Sequence, residues 1–212
     1  MNWLSRFVSG SRPPLPEPVE ARVTAWHQAP APDLAHPHFE TRYVVVNTEA
    51  TGLSLEKDKL LAVSAIAIEG GVLSSRNALY LPLDEDPAEA LSQVLAFAGR
   101  SPWVVFNASF NRKLLERAFD GRFGFEPEPV WMDLQWLLPV LFPEHHGDLV
   151  RLGDWMEAFE IETFQRHHAL GDGLAIAQLL MAALGRAHVT GAVTARNLVE
   201  MERSRRLARR SV

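Results

Sequence analysis

The chain contains no cysteine. Disulfides, thiolate zinc sites and cysteine nucleophiles are thereby excluded, and a reducing compartment suits it. No apolar run is expected to span a bilayer. Met1 to Gly10 carries Trp3, Leu4, Phe7 and Val8 but lacks the uninterrupted apolar core of a secretion signal. A cytoplasmic location without a membrane partner is the expectation. Positive charge is not in surplus either: 21 Lys and Arg stand against 26 Asp and Glu, a formal net charge of -5. That excludes attraction of nucleic acid by overall charge, but not by local patches. With 47% hydrophobic and 22% charged residues in a 212-residue chain, one domain of ordinary to large size with appendages is expected.

What is present is centred on Tyr43 to Leu53, Y-V-V-V-N-T-E-A-T-G-L. Val44, Val45 and Val46 form a β-branched run of the kind that fills a strand buried on both faces. Asn47 and Glu49 follow at its end. Two residues apart on an extended backbone, they point to the same side. Thr51-Gly52 then turns the chain. Two oxygen-bearing side chains at the carboxyl edge of a buried strand suit a cation, since ligands of open α/β sheets gather there. The alternative is a pair of solvated residues where strand meets loop.

Residues 1 to about 40 are rich in proline and are read as an extension, whose apolar residues at the very start dock on the main domain in preference to a partner. From Thr41 onward the pattern predicts an antiparallel three-strand meander, with Gly70-Gly71 as a tight hairpin turn. Asp86-Pro87-Ala88-Glu89 predicts a helix start with a capping box. Trp103 to Phe106 is a short strand, and Ser109 is the expected cap of the helix after it, which places Asn111 in the first turn. Val130 to Met132 is a further short strand ending at Asp133. Helical spacing recurs from Leu149 to Phe159, from Leu174 to Gly185 and from Val193 to Ala208. The last helix ends on Arg203, Arg205, Arg206, Arg209 and Arg210. These are either a solvated charge cluster favoured by the helix dipole or a phosphate-binding tail.

Three places carry chemistry: Asn47 with Glu49, Asn111, and His167 with Asp172. Their order and flanks resemble the DEDDh 3'-5' exonucleases, the family of the polymerase III proofreading subunit and ribonuclease T. The family's D-x-E-x-T-G-L stands here as Asn47-Thr48-Glu49-Ala50-Thr51-Gly52-Leu53. Its H-N-A-x-F-D stands as Phe106-Asn107-Ala108-Ser109-Phe110-Asn111. Its H-x-A-x-x-D stands as His167-His168-Ala169-Leu170-Gly171-Asp172, and that spacing selects His167 rather than His168. Asp133 also resembles a recurrent family aspartate.

The resemblance implies an α/β, ribonuclease H-like exonuclease fold over residues 41–186, with a mixed sheet flanked by helices. Residues 1–40 remain a proline-rich extension and residues 187–212 a helix with a basic end. It implies two divalent ions, Mg2+ or Mn2+, between four carboxylates clamping the scissile phosphate. It implies His167 as the base for the attacking water, and Glu49, Asp172, Asn47 and Asn111 at the metal-ligand positions. Thr51, Gly52, Leu53, Asn107 and Phe110 match positions that hold the terminal nucleotide of a DNA or RNA 3' end, with Leu53 and Phe110 against its base.

The chain departs from the family where it matters. Asn47 and Asn111 replace two aspartates, and Phe106 replaces a frequent histidine. A unit charge facing a divalent ion at about 4 Å is worth roughly 8 kcal/mol of gross Coulomb energy at a dielectric of about 20. Asparagine keeps an oxygen, so the net loss is smaller. At most one weakly held ion and little two-metal catalysis are expected. The asparagines are either native, making this a pseudo-exonuclease, or substitutions in an active enzyme. Three functions follow: an impaired exonuclease that binds a nucleotide or a single-stranded 3' end, a working exonuclease, or an interaction module whose proline-rich start or basic end engages a protein partner.

Overall fold

The computed structural model describes residues 13–52, 54, 57–145 and 150–210. Its sheet is built from Tyr43–Ala50 (β1), Leu60–Glu69 (β2), Val72–Pro82 (β3), Trp103–Val105 (β4) and Trp131–Asp133 (β5). The strand order is β3-β2-β1-β4-β5. The first three strands form the expected antiparallel meander, with Tyr43 opposite Ile68 and Asn47 opposite Ser64. β1, β4 and β5 are parallel. Gly70 and Gly71 take φ of 60° and 70°, the left-handed values that a two-residue hairpin turn requires.

The valine run splits by strand alternation. Val44 and Val46 enter one core with Val63, Ala65 and Trp103. Tyr43 and Val45 enter a second core on the opposite face with Ile66, Val104 and Met132. The first core is covered by Glu17–Gln28 (α1), Pro87–Ala98 (α2) and Ala108–Phe123 (α3). The second is covered by Leu134–Leu141 (α4), Leu152–Ala158 (α5), Ala169–Val189 (α6) and Ala195–Arg210 (α7). Each fully buried valine contributes on the order of 1.5–3 kcal/mol. By the same alternation Asn47 and Glu49 leave β1 toward α6, while Thr48 faces α3.

Part of the proline-rich extension packs on the main domain. Residues 17–28 are a helix of the first core, with Val19, Val23 and Trp26 buried. Pro18 lies in the first turn, where a missing N–H costs nothing. Trp26 donates Nε1–H to Gly99 O at 2.8 Å. The capping box is corrected. Asp86 accepts from the N–H of Ala88 and Glu89, but Glu89 reaches Arg22 of α1 at 2.7 Å instead of reaching back to its own cap. Ser109 is not the cap of α3. Asn107 takes that position with φ of 65°, and Asp133 accepts from Asn107 N at 2.9 Å and Ala108 N at 2.8 Å.

The expectation of no bilayer-length apolar segment is corrected as well. By length and composition α6 is apolar enough to cross a membrane, but 61% of that stretch is buried, as a helix packed on a sheet requires. At the basic end, Arg203 and Arg209 are exposed, Arg206 lies 3.6 Å from Glu202, and the Arg209 guanidinium lies 5.8 Å from the Trp136 ring.

Candidate functional site

The carboxyl end of β1, the start of α3 and the start of α6 meet at one cleft of about 610 Å³. Asn47, Glu49, Gly52, Asn107, Phe110, Asn111, His167 and Asp172 all line it. Thr51 does not: its hydroxyl donates to Asp58 at 2.7 Å and accepts from Lys59 N. Leu53 lies outside the described residues. His168 caps α6 by accepting from Leu170 N at 3.2 Å, and its ring stacks on Tyr80 at 4.7 Å. His167 is exposed in the cleft with φ of 62°.

The first turn of α6 is drawn against β1. Asn47 donates Nδ2–H to Ala169 O at 3.1 Å, as does the Ser64 hydroxyl at 2.8 Å. Glu49 Oε2 accepts from Ala169 N at 3.2 Å. Gly173 permits this approach, and Gly171 permits the close passage of the turn before α6. A Cβ on Gly171 would stand 2.1 Å from Gln165 O, and one on Gly173 would stand 2.6 Å from Ser64 Oγ.

Asn111 is buried and fully bonded. Its Oδ1 accepts from Thr48 N at 3.1 Å and Thr48 Oγ1 at 2.7 Å. Its Nδ2–H donates to Phe106 O at 2.8 Å. Neither end of the amide can be exchanged, because one faces donors and the other a carbonyl. Asp172 is equally engaged. Its Oδ1 pairs with the Arg166 guanidinium at 2.6 Å, and its Oδ2 accepts from His167 N at 3.1 Å. Burial pushes its carboxyl up, an effect opposed by Arg166 and that N–H. Burial also raises Asp133, against the N–H groups it accepts from.

Two divalent ions do not fit these residues. Asn47 and Asn111 turn amide N–H groups onto carbonyls, and Asp172 already holds a cation. Among the described residues, no group of three or more His, Asp or Glu side chains is placed to hold a metal ion.

Sequence reasoning missed Arg166, Arg151, Gln135 and Ile176, which also line the cleft, and the positioning roles of Ser64, Gly171 and Gly173. The signal for Arg166 was its place next to His167. Gly171 and Gly173 flank the motif aspartate and were legible as points of close approach.

No family model matches the chain. It is 27% identical over 168 residues to a PolC-type DNA polymerase III of Bacillus subtilis, covering 68% of this chain. It is 28% identical over 169 residues to the PolC-type polymerase of Oceanobacillus iheyensis, covering 67% of this chain. The match spans 11–12% of the length of those polymerases. The three motif positions gathered in one cleft keep the order in which DEDDh 3'-5' exonucleases carry theirs, and these PolC-type polymerases are what the chain is similar to in sequence.

Solved structures agree on the fold. Exonuclease X in complex with 5' overhanging duplex DNA aligns with a TM-score of 0.52 at 17% identity, over 76% of this chain and 99% of that one. Escherichia coli Exonuclease I with a dT13 oligonucleotide gives 0.53 at 18%, over 72% and 43%. Brucella melitensis NrnC with bound Mg2+ gives 0.52 at 16%, over 82% and 84%. The fold is the ribonuclease H-like exonuclease fold.

Proposed function

We propose that this chain is a homologue of the DEDDh 3'-5' exonucleases that binds a nucleotide or the 3' end of a single-stranded nucleic acid in the cleft, and that its metal-dependent 3'-5' hydrolysis is impaired. The observation that carries this reading is the pairing of an open cleft, lined by Gly52, Asn107 and Phe110, with amide groups at two carboxylate positions. Phe110 offers a ring for base stacking, worth about 1–3 kcal/mol per base. Asn107 is held in the cleft by Asp133 through its own N–H and that of Ala108. Asn47 and Asn111 donate to carbonyls, so Mg2+ or Mn2+ is held as one weak ion at most.

The test pairs binding with turnover. Short single-stranded DNA and RNA, and nucleoside monophosphates, are titrated against the chain, and shortening of the strands is followed in Mn2+. Saturable binding with far slower shortening than the Asn47→Asp/Asn111→Asp variant supports the reading. No binding of any probe overturns it. Shortening by the chain as fast as by an active double variant overturns the impairment.

A further inference from the structure

The arginine on Asp172 has a consequence for how the cleft treats phosphate. We propose that the Arg166 guanidinium supplies the positive charge that holds a phosphate here, so that the cleft captures the phosphate of a nucleotide end without any divalent ion. This rests on the nucleotide-binding reading above and names what recognises the phosphate.

The charge balance carries the argument. Four carboxylates without ions would repel a phosphate. Among the described residues, the ionisable lining consists of Glu49 and Asp172 against Arg151 and Arg166, together with His167. The arginines cancel the carboxylates, and Asn47 and Asn111 add no charge. An incoming phosphate therefore meets no net negative charge from these described lining groups and needs no ion to screen one.

Geometry leaves the guanidinium available. Arg166 uses Nη1 on Asp172 Oδ1 at 2.6 Å and on Met156 Sδ at 2.9 Å. Its side chain is 38% exposed. Nε and Nη2 carry no hydrogen bond among the described contacts, and that edge of the fork matches two phosphate oxygens. Asp172 thus acts as the positioning residue. It anchors one nitrogen and fixes the plane of the others, which lowers the ordering cost of binding. Arg151, exposed at the start of α5, is the second cation.

The experiment is fluorescence anisotropy of a short 5'-labelled single-stranded oligodeoxynucleotide, in excess EDTA and again in Mg2+. The expected result is binding of equal strength in both, and about tenfold or more weakening in EDTA for Arg166→Gln. Arg166→Lys keeps the charge but not the fork, and falls between. If Arg166→Gln fails the circular dichroism check for folding, Arg166→Lys alone decides, by weakening in EDTA or not. Binding that requires Mg2+, or arginine variants that bind as well as the parent in EDTA, overturns this inference and leaves the nucleotide-binding reading standing. Absence of binding in both buffers overturns that reading and this inference with it.

Discussion

Asn111 ties α3 to β1 by accepting both the N–H and the hydroxyl of Thr48, at 3.1 and 2.7 Å. The same amide donates to Phe106 O at 2.8 Å. The side chain at the position where the DEDDh exonucleases it resembles carry an aspartate is thus a cross-link between the strand and helix that frame the cleft. An aspartate at that position cannot donate, and it would set a carboxylate against a carbonyl.

Asn111→Asp is therefore expected to destabilise the fold by about 2 kcal/mol or more near neutral pH. The cause is a buried charge plus an unpaired carbonyl. At roughly 2–4 °C per kcal/mol for a chain of this size, a thermal melt resolves it. The loss shrinks in acid, where the new carboxyl protonates and regains a donor. A variant as stable as the parent at pH 7 would show that the Phe106 bond contributes nothing.

Trp26→Ala tests whether residues 17–28 belong to the core. Trp26 is 4% exposed, donates to Gly99 O and lies under the Arg100 guanidinium at 4.2 Å. Removing a buried tryptophan costs about 3–5 kcal/mol. Chemical denaturation is expected to show that loss with the slope unchanged. Retained stability would return this segment to the status of an appendage.

These two cases mark what the sequence made legible. The meander, the glycine hairpin and the meeting of three motifs follow from local pattern and order. α1 is hard to see in the sequence because prolines surround it, although Val19, Val23 and Trp26 repeat at helical spacing. The cross-links were not legible, since Asn111 to Thr48 spans 63 residues and Asn47 to Ala169 spans 122. Sequence also gives no sign of which oxygen of Asp172 a neighbour will claim. Arg166 could be seen, but its pairing depends on a turn that places His167 at positive φ.

Gly171→Ala is expected to weaken both stability and ligand binding. Its Cβ would meet the Gln165 carbonyl oxygen at 2.1 Å, a backbone group that cannot rotate away. The turn carrying Arg166 and His167 must shift. Overpacking costs about 1–3 kcal/mol, set against a gain of up to about 1 kcal/mol in helix propensity. Gly173→Ala meets a serine hydroxyl instead and is expected to leave binding closer to normal. Equal effects of the two variants on oligonucleotide affinity would separate the turn from the ligand.

Glu202 gives a pH-dependent prediction away from the cleft. It is 4% exposed, its Oε1 has no hydrogen-bond partner among the described residues, and Arg206 Nε lies 3.6 Å from it. Burial raises its carboxyl above the usual 4.5, Arg206 opposes this, and the Asp133 charge adds to it. Below the unfolded value the group is protonated in both states and costs nothing. As pH rises through the folded value, ionising it inside the protein draws down stability, and the full cost is present above that value. Glu202→Gln is therefore expected to match the parent in acid and to be more stable by about 1 kcal/mol at neutral pH. Denaturation midpoints at several pH values check the sign: a variant that is less stable at neutral pH than in acid, relative to the parent, would mean that Arg206 holds Glu202 as a net stabilising ion pair.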